Sequence, residues 1–238
     1  MNLNEKVAIV TGASHGIGLA MAGALLNEGC RVAAFSRSEG ELTQYLGNPH
    51  VLLVKADVSN PESVRQGVAG TVERFGGIDI VINNAGISVS EQNPVESSDI
   101  EECTRVVNTN LLGSFFLCHE ALPYMKKRPC GYVIHVLSTL ARSSAPGKSM
   151  YTASKFGQRG LCETMIKENL GTSIRVSSIS PGGTNSNIWN LKKEIPGDDI
   201  RATLLKTEDV ANAALFLLKQ PDYVHIEDIT ITSWHAKL

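Results

Sequence analysis

Tyr151 and Lys155, in the run Met150-Tyr151-Thr152-Ala153-Ser154-Lys155, follow Ser138 by thirteen and seventeen residues. Side chains of these types in this order can move a proton on and off an oxygen. If the run is helical, positions i and i+4 lie one above the other on one face. An ammonium beside a phenol favours the phenolate, so the spacing predicts a Tyr151 pKa drawn from about 10 toward neutrality. A fall from about 10 to about 7 is worth ~4 kcal/mol of differential interaction. General acid–base chemistry at neutral pH needs such tuning. The pair alone is weak, because the chain holds five Tyr and a Tyr-x3-Lys spacing arises easily on a solvated helix face. The elements that must position the pair decide the matter.

The first of these is Val7-Ala8-Ile9-Val10-Thr11-Gly12-Ala13-Ser14-His15-Gly16-Ile17-Gly18. Its apolar, β-branched start reads as a buried parallel strand, and Leu19 to Leu26 reads as a helix. Between them, glycines let the backbone turn tightly and approach a ligand, with helix N-terminal N–H groups aimed at phosphate. The spacing is Gly-x3-Gly-x-Gly rather than the commoner Gly-x-Gly-x2-Gly. The strand–turn–helix context that the motif requires is present.

At 238 residues the chain suits one domain with a large core. A net charge of −2, with no Lys/Arg run longer than Lys126-Lys127-Arg128, gives no case for nucleic acid. The N-terminus lacks the basic-then-apolar pattern of a secretory signal, and no apolar stretch approaches the ~20 residues of a membrane helix. Five cysteines (Cys30, Cys103, Cys118, Cys130, Cys162) are odd in number and without Cys-x2-Cys, so they read as reduced packing residues in a cytoplasmic protein. His and Cys never cluster at metal-ligand spacing, and no metal is expected.

Strand-like segments near 6–11, 31–36, 51–55, 78–83, 131–137, 174–180 and 226–231 alternate with helix-like segments near 17–28, 61–75, 100–127, 150–170 and 207–219. That alternation predicts an α/β fold, a doubly wound, mostly parallel seven-stranded sheet with helices on both faces. The stretch from Gly182 to Ala202 lacks clean periodicity and reads as a long functional loop, a substrate lid.

The chain resembles the short-chain dehydrogenase/reductases, in the branch of roughly 250 residues, whose fold is Rossmann-like. The resemblance lies in Thr11-Gly12-x3-Gly16-x-Gly18, Asp57-Val58, Asn83-Asn84-Ala85-Gly86, Asn110, Ser138, Tyr151-x3-Lys155 and Ser180-Pro181-Gly182. These occur in the family's order and spacing over about residues 6 to 182. The resemblance implies a catalytic set of Asn110, Ser138, Tyr151 and Lys155. The Ser would hydrogen-bond the substrate oxygen, the Tyr would donate or take the proton, and the Lys would hold the nicotinamide ribose and depress the Tyr pKa. The Asn would position a water in a proton relay; read as a residue, it is also a side chain that kinks or caps its helix. Ser138 ends an apolar run, at the sheet edge where open α/β sheets bind ligands. His135, within the same run, reads as a packed histidine.

For the cofactor, the resemblance assigns Gly12, Ser14, His15, Gly16, Ile17 and Gly18 of the turn, Ser36 and Arg37, Asp57 and Val58, Asn84, Ala85 and Gly86, then Tyr151, Lys155, Pro181, Gly182 and Thr184. Asp57 is not expected to cap the helix beginning near Pro61, since Ser59 or Asn60 sits better. A chain that uses NAD generally presents Asp or Glu at the end of the second strand. Here that strand ends in Ser36-Arg37-Ser38, with no carboxylate to repel a 2′-phosphate and a guanidinium to pair with it. NADP(H) is therefore favoured over NAD(H).

Pocket candidates are Leu140, Arg142, Ser143, Ser144 and Ala145, then Gly183, Thr184, Asn185, Ser186, Ile188 and Trp189. Arg142 is expected either to meet a substrate carboxylate or phosphate or to serve local structure. The C-terminal Ile226-Glu227-Asp228-Ile229-Thr230-Ile231 lacks the Asp-Gly-Gly turn of many 3-oxoacyl reductases. The expected activity is thus a carbonyl reductase or alcohol dehydrogenase of small hydroxy compounds, ahead of a 3-oxoacyl-thioester reductase. A non-catalytic redox-sensing regulator, and epimerisation, dehydration or dehalogenation on the same scaffold, are the remaining alternatives. Helices 100–127 and 150–170 hold more apolar residues than one sheet-facing stripe uses, which predicts a homodimer or homotetramer through them.

Overall fold

The computed structural model describes residues 1–186 and 197–235. Its strands are β1 (Val7–Thr11), β2 (Arg31–Ser36), β3 (Val51–Lys55), β4 (Ile80–Asn83), β5 (Gly131–Val136), β6 (Ile174–Pro181) and β7 (Asp228–Ile231). The helices are α1 (Gly16–Asn27), α2 (Pro61–Phe75), α3 (Ile100–Val107), α4 (Gly113–Met125), α5 (Ser149–Asn169), α6 (Asp198–Arg201) and α7 (Thr207–Lys219). All strand pairs are parallel, in the order β3-β2-β1-β4-β5-β6-β7. A parallel sheet covered on both faces needs apolar residues at odd and even positions alike. β1, β4 and β5 are accordingly buried along their whole length. One face packs against α1 and α7 through Val10, Ile82, Ile134, Met21, Leu25 and Leu217; the other packs against α2, α4 and α5 through Ile9, Val81, Val133, Val68, Leu117 and Met165.

After β3 the chain crosses back to place β4 beside β1. The crossovers on either side of that pair run in opposite directions, so a crevice opens beyond the carboxyl ends of β1 and β4, where such sheets bind ligands. Thr11 fastens this edge. Its hydroxyl donates to the Ile82 carbonyl at 3.2 Å and accepts from the N–H groups of Asn84 and Ala85 at 3.1 and 3.0 Å. α2 begins at Asn60, whose side chain accepts from the N–H groups of Glu62 and Ser63, a cap worth ~1 kcal/mol. Asn60, and not Asp57, therefore caps this helix.

The helix expected over 100–127 is three elements. α3 and α4 are separated by a π turn, Asn108–Leu112, with Asn110 at its centre. The Asn110 side chain reaches out of the helix to the backbone of Ile87, and extra residues in the turn accommodate it. The expected loop 182–202 also contains structure. Thr184 bridges to Leu205, the Leu205 carbonyl accepts from Asn185 N–H at 2.8 Å, and α6 occupies 198–201. Among the described residues no helix is long and apolar enough to cross a membrane.

Candidate active site

Two adjoining cavities fill the crevice. The first, of about 230 Å³, is lined by Gly12, Ser14, His15, Gly16, Ile17, Ser36, Arg37, Asp57, Val58, Asn84, Ala85 and Gly86 among others. The second, of about 270 Å³, is lined by Ser138, Tyr151, Lys155, Pro181, Gly182 and Thr184, together with Leu137, Leu140, Ala145, Lys148 and Ser88. Ile17, Asn84, Gly86 and Ser186 line both, which makes the crevice continuous. The residues predicted for catalysis and for the cofactor thus converge, apart from two. Gly18 is absent from both walls and serves the turn itself: a Cβ there would stand 2.3 Å from the Gly12 carbonyl oxygen. Asn110 lies fully buried behind the cavity.

The first cavity suits a phosphate-bearing ligand. α2 and α3 have side-chain acceptors at their N-caps, whereas α1 starts at His15 with no side-chain cap and no acid in its first turn. Its N–H groups and the positive end of its dipole face the Gly12–Gly16 turn, an arrangement that favours an anion. His15 Nδ1 is 2.7 Å from the Ser14 hydroxyl. At the far end, Asp57 Oδ1 accepts from the N–H and hydroxyl of Ser59 at 2.9 and 2.7 Å. Burial pushes this carboxyl upward, but the Ser59 bonds, with help from Arg37, outweigh it and hold the pKa below the usual range. Arg37 itself is exposed and makes no ion pair or hydrogen bond among the described residues. These residues fit a dinucleotide: the N-terminus of α1 would hold its pyrophosphate, and Arg37 and Asp57 would face its adenosine.

In the second cavity, Ser138 Oγ accepts from Leu140 N–H at 3.1 Å and shares the wall with Tyr151. Burial raises the Tyr151 pKa, and the nearby Ser138 hydroxyl opposes the rise. This corrects the expectation that Lys155 would draw the phenol toward neutrality. The Lys155 ammonium is instead directed to the Val136 carbonyl at 2.9 Å and Gln158 Oε1 at 3.0 Å. Complete burial disfavours its charge and lowers its pKa to about 7. Desolvation acts on both members of the pair, and that outweighs the attraction read from their spacing.

Asn110 is the other fixed point. Its Oδ1 accepts from Ile87 N–H at 2.8 Å, and its Nδ2 donates to the Ile87 carbonyl and Ser154 Oγ, both at 3.0 Å. Its carbonyl accepts from Ser114 Oγ at 2.9 Å, and Ser114 in turn accepts from Gln158 Nε2 at 2.6 Å. A polar chain thus runs from Lys155 through Gln158 and Ser114 to Asn110, all four buried. Sequence reading missed Gln158 and Ser114. Gln158 stands three residues after Lys155, a helical contact spacing that was there to be read. Lys148 and Ser88 were missed as well.

Several pocket candidates are engaged elsewhere, Arg142 in the local-structure role that was its alternative. Arg142 pairs with Asp228 at 2.8 Å, Ser143 donates to the Thr139 carbonyl, Asn185 accepts from Arg201 Nε, and Ser144 is exposed; none lines the cavity. A free guanidinium next to a carboxylate pairs with it in place of waiting for a ligand. Leu140, Ala145, Gly183, Thr184 and Ser186 do line it, while Ile188 and Trp189 lie outside the described residues. His135 is a packed histidine, fully buried, its pKa lowered to about 3 by desolvation and then by Lys155.

The model of the short chain dehydrogenase family matches residues 6–195. An uncharacterized oxidoreductase of Staphylococcus aureus is 32% identical over 232 residues, 96% of this chain and 97% of that protein. The fold overlays an alcohol dehydrogenase from Thermococcus sibiricus complexed with 5-hydroxy-NADP at a TM-score of 0.87 and 29% identity, covering 99% of both chains. It also overlays a 3-ketoacyl-(acyl-carrier-protein) reductase from Brucella melitensis complexed with NADH at 0.88 and 26% identity, covering 98% of this chain and 99% of that one. This chain belongs to the short-chain dehydrogenase family and, with it, to the oxidoreductases.

Proposed function

We propose that this protein interconverts a ketone or aldehyde and an alcohol with NADP(H), with Tyr151 as the general acid and base. Tyr151 beside Ser138 and Lys155, in a cavity continuous with the groove at the start of α1, carries this proposal. The nicotinamide supplies the hydride when bound. The protein's own residues manage the oxygen and its proton. Ser138, its oxygen already accepting from Leu140, directs its hydrogen toward the phenol or the substrate oxygen. Burial keeps Tyr151 protonated, the form that an acid needs for reduction. Lys155, with a pKa about 7, exchanges between amine and ammonium at neutral pH; as ammonium it stabilises the phenolate needed for the reverse direction. Asn110 anchors the loop at Ile87 by its side chain, and its carbonyl, with one lone pair beyond the Ser114 bond, suits a relay water.

NADP is preferred over NAD because Arg37, unpaired among the described residues, stands between Ser36 and Ser38 and no carboxylate occupies the end of β2 itself. The Thermococcus neighbour, in complex with an NADP derivative, agrees with this preference. The 3-oxoacyl-thioester alternative has the Brucella neighbour in its favour, and the C-terminal departure against it. Five free cysteines suit a reducing cytoplasm. The test is turnover of a ketone panel with each cofactor by the wild type and by Tyr151→Phe. Removal of the acid alone should lower kcat by roughly 10²–10⁴-fold. A variant that kept more than about a tenth of wild-type kcat, a loss of under ~1.4 kcal/mol, would remove Tyr151 from this role.

A further inference from the structure

Lys148 lines the second cavity and has no part in the proton chemistry. It is half-buried, and among the described residues its ammonium makes no ion pair or hydrogen bond. Three other cations near this cavity are engaged: Arg142 with Asp228, Arg201 with Asn185, and Lys155 with Val136 and Gln158. Lys148 also occupies the N-cap of α5, a helix of 21 residues with no side-chain cap and no acid in its first turn. A cation at that end opposes the helix dipole. Burial lowers its pKa, and among the described residues no carboxylate pairs with it to compensate. Among the described residues, both burial and the helix dipole thus disfavour the charge of Lys148. An external anion would reverse that balance.

We propose that Lys148 is the subsite for an anionic group on the substrate, so that the carbonyl compound handled at Tyr151 bears a carboxylate. This rests on the oxidoreductase proposal for the same cavity. Lys148 and Tyr151 are the N-cap and third residue of α5, stacked within one helical turn. The carboxylate and the reacting carbonyl are therefore separated by only a few bonds, as in a short oxo acid. Lys155, the other cation of this cavity, is already engaged with Val136 and Gln158, and Val136, Leu137, Leu140 and Ala145 accommodate the apolar remainder of the molecule.

The experiment compares 3-oxobutanoate with its methyl ester, two ketones that differ in charge at one end. The wild type should prefer the acid. Lys148→Met should reduce the acid-over-ester ratio of kcat/KM by about 10–100-fold, the worth of one charge-assisted bond. Most of that change should appear in KM. Lys148→Arg should restore the ratio, and Lys148→Glu should push it below that of the Met variant. A wild type indifferent to the charge, or a ratio unmoved by Lys148→Met, overturns the assignment. Calorimetric titration with butanoate, which cannot be reduced, gives a second readout: binding to the wild type that Lys148→Met abolishes supports the subsite, and equal binding or none overturns it. If no ketone is turned over and butanoate still binds through Lys148, the oxidoreductase proposal fails and the subsite stands. If ketones are turned over with an unaltered ratio, the reverse holds.

Discussion

The side-chain oxygen of Gln158 lies 3.0 Å from the ammonium of Lys155, and both residues are buried. Gln158 is itself held by Ser114, so the amide has a fixed orientation, oxygen toward the lysine and nitrogen toward the hydroxyl. An acceptor at that position favours the charged lysine and partly counters desolvation. Gln158→Leu keeps the volume and removes the acceptor. The Lys155 pKa should then fall further below about 7. Loss of a hydrogen bond to a charged group should cost roughly tenfold in kcat/KM or more. The limb of the pH–rate profile that reports Lys155 should shift to lower pH. A variant that lost activity without moving that limb would show Gln158 to be packing only.

Lys155 also gives a stability prediction with a definite sign. Its folded pKa, about 7, lies below the ordinary lysine value of 10.5. Between those values the unfolded chain binds a proton that the folded chain does not, so stability rises with pH across that window. Below about pH 7 both states are protonated and the full destabilisation is present. Lys155→Met has no such group. It should be more stable than the wild type at pH 7 by a few kcal/mol at most, as an order of magnitude, and the margin should shrink steadily toward pH 10. A margin independent of pH, measured by denaturant unfolding, would mean that Lys155 stays charged in the folded state.

Cofactor choice turns on the end of β2. Arg37 is exposed and unpaired among the described residues, and Ser36 donates to the Ser38 carbonyl at 2.5 Å. Arg37→Ala with Ser36→Asp removes an attraction for the 2′-phosphate and adds a repulsion. Preference should move from NADP toward NAD, by about tenfold or more given a charged bond lost. Equal kcat/KM for the two cofactors before and after the change would refute the NADP preference.

The sheet was readable because a buried parallel strand needs an unbroken apolar run, and each run is bounded by turn residues. α2 was readable to the residue, since Asn60 caps its start and Gly76, at φ 81°, ends it. What stayed hidden depends on partners distant in the chain. The π turn at Asn110 exists because Ile87 offers it a backbone edge. Arg142 is removed from the pocket by Asp228, which lies on the last strand. The Tyr151–Lys155 spacing correctly put both groups on one cavity, yet spacing says nothing of burial depth, and burial sets both pKa values. Lys148 gave no sequence signal, because an isolated lysine becomes informative only when its surroundings lack an anion.

Assembly is the remaining consequence of the sequence pattern. The apolar surplus on α4 and α5 divides in the structure. Leu117, Met125, Met165 and Ile166 are buried in the core, and Phe116, Leu122 and Leu161 pack against it. Leu112 (39% exposed), Phe115 (45%) and Phe156 (45%) do not; they stand on the outer faces of the π turn, α4 and α5. Large exposed apolar groups on neighbouring helices mark an interface, and a two-fold axis lets one such patch cover its own copy. The protein should therefore be at least a homodimer. Phe115→Glu with Phe156→Glu would set four carboxylates into that contact and should yield a monomer of about 25.6 kDa by light scattering. A wild type that scatters as a monomer at micromolar concentration would rule the interface out, and an unchanged mass in the double variant would move it elsewhere on the surface.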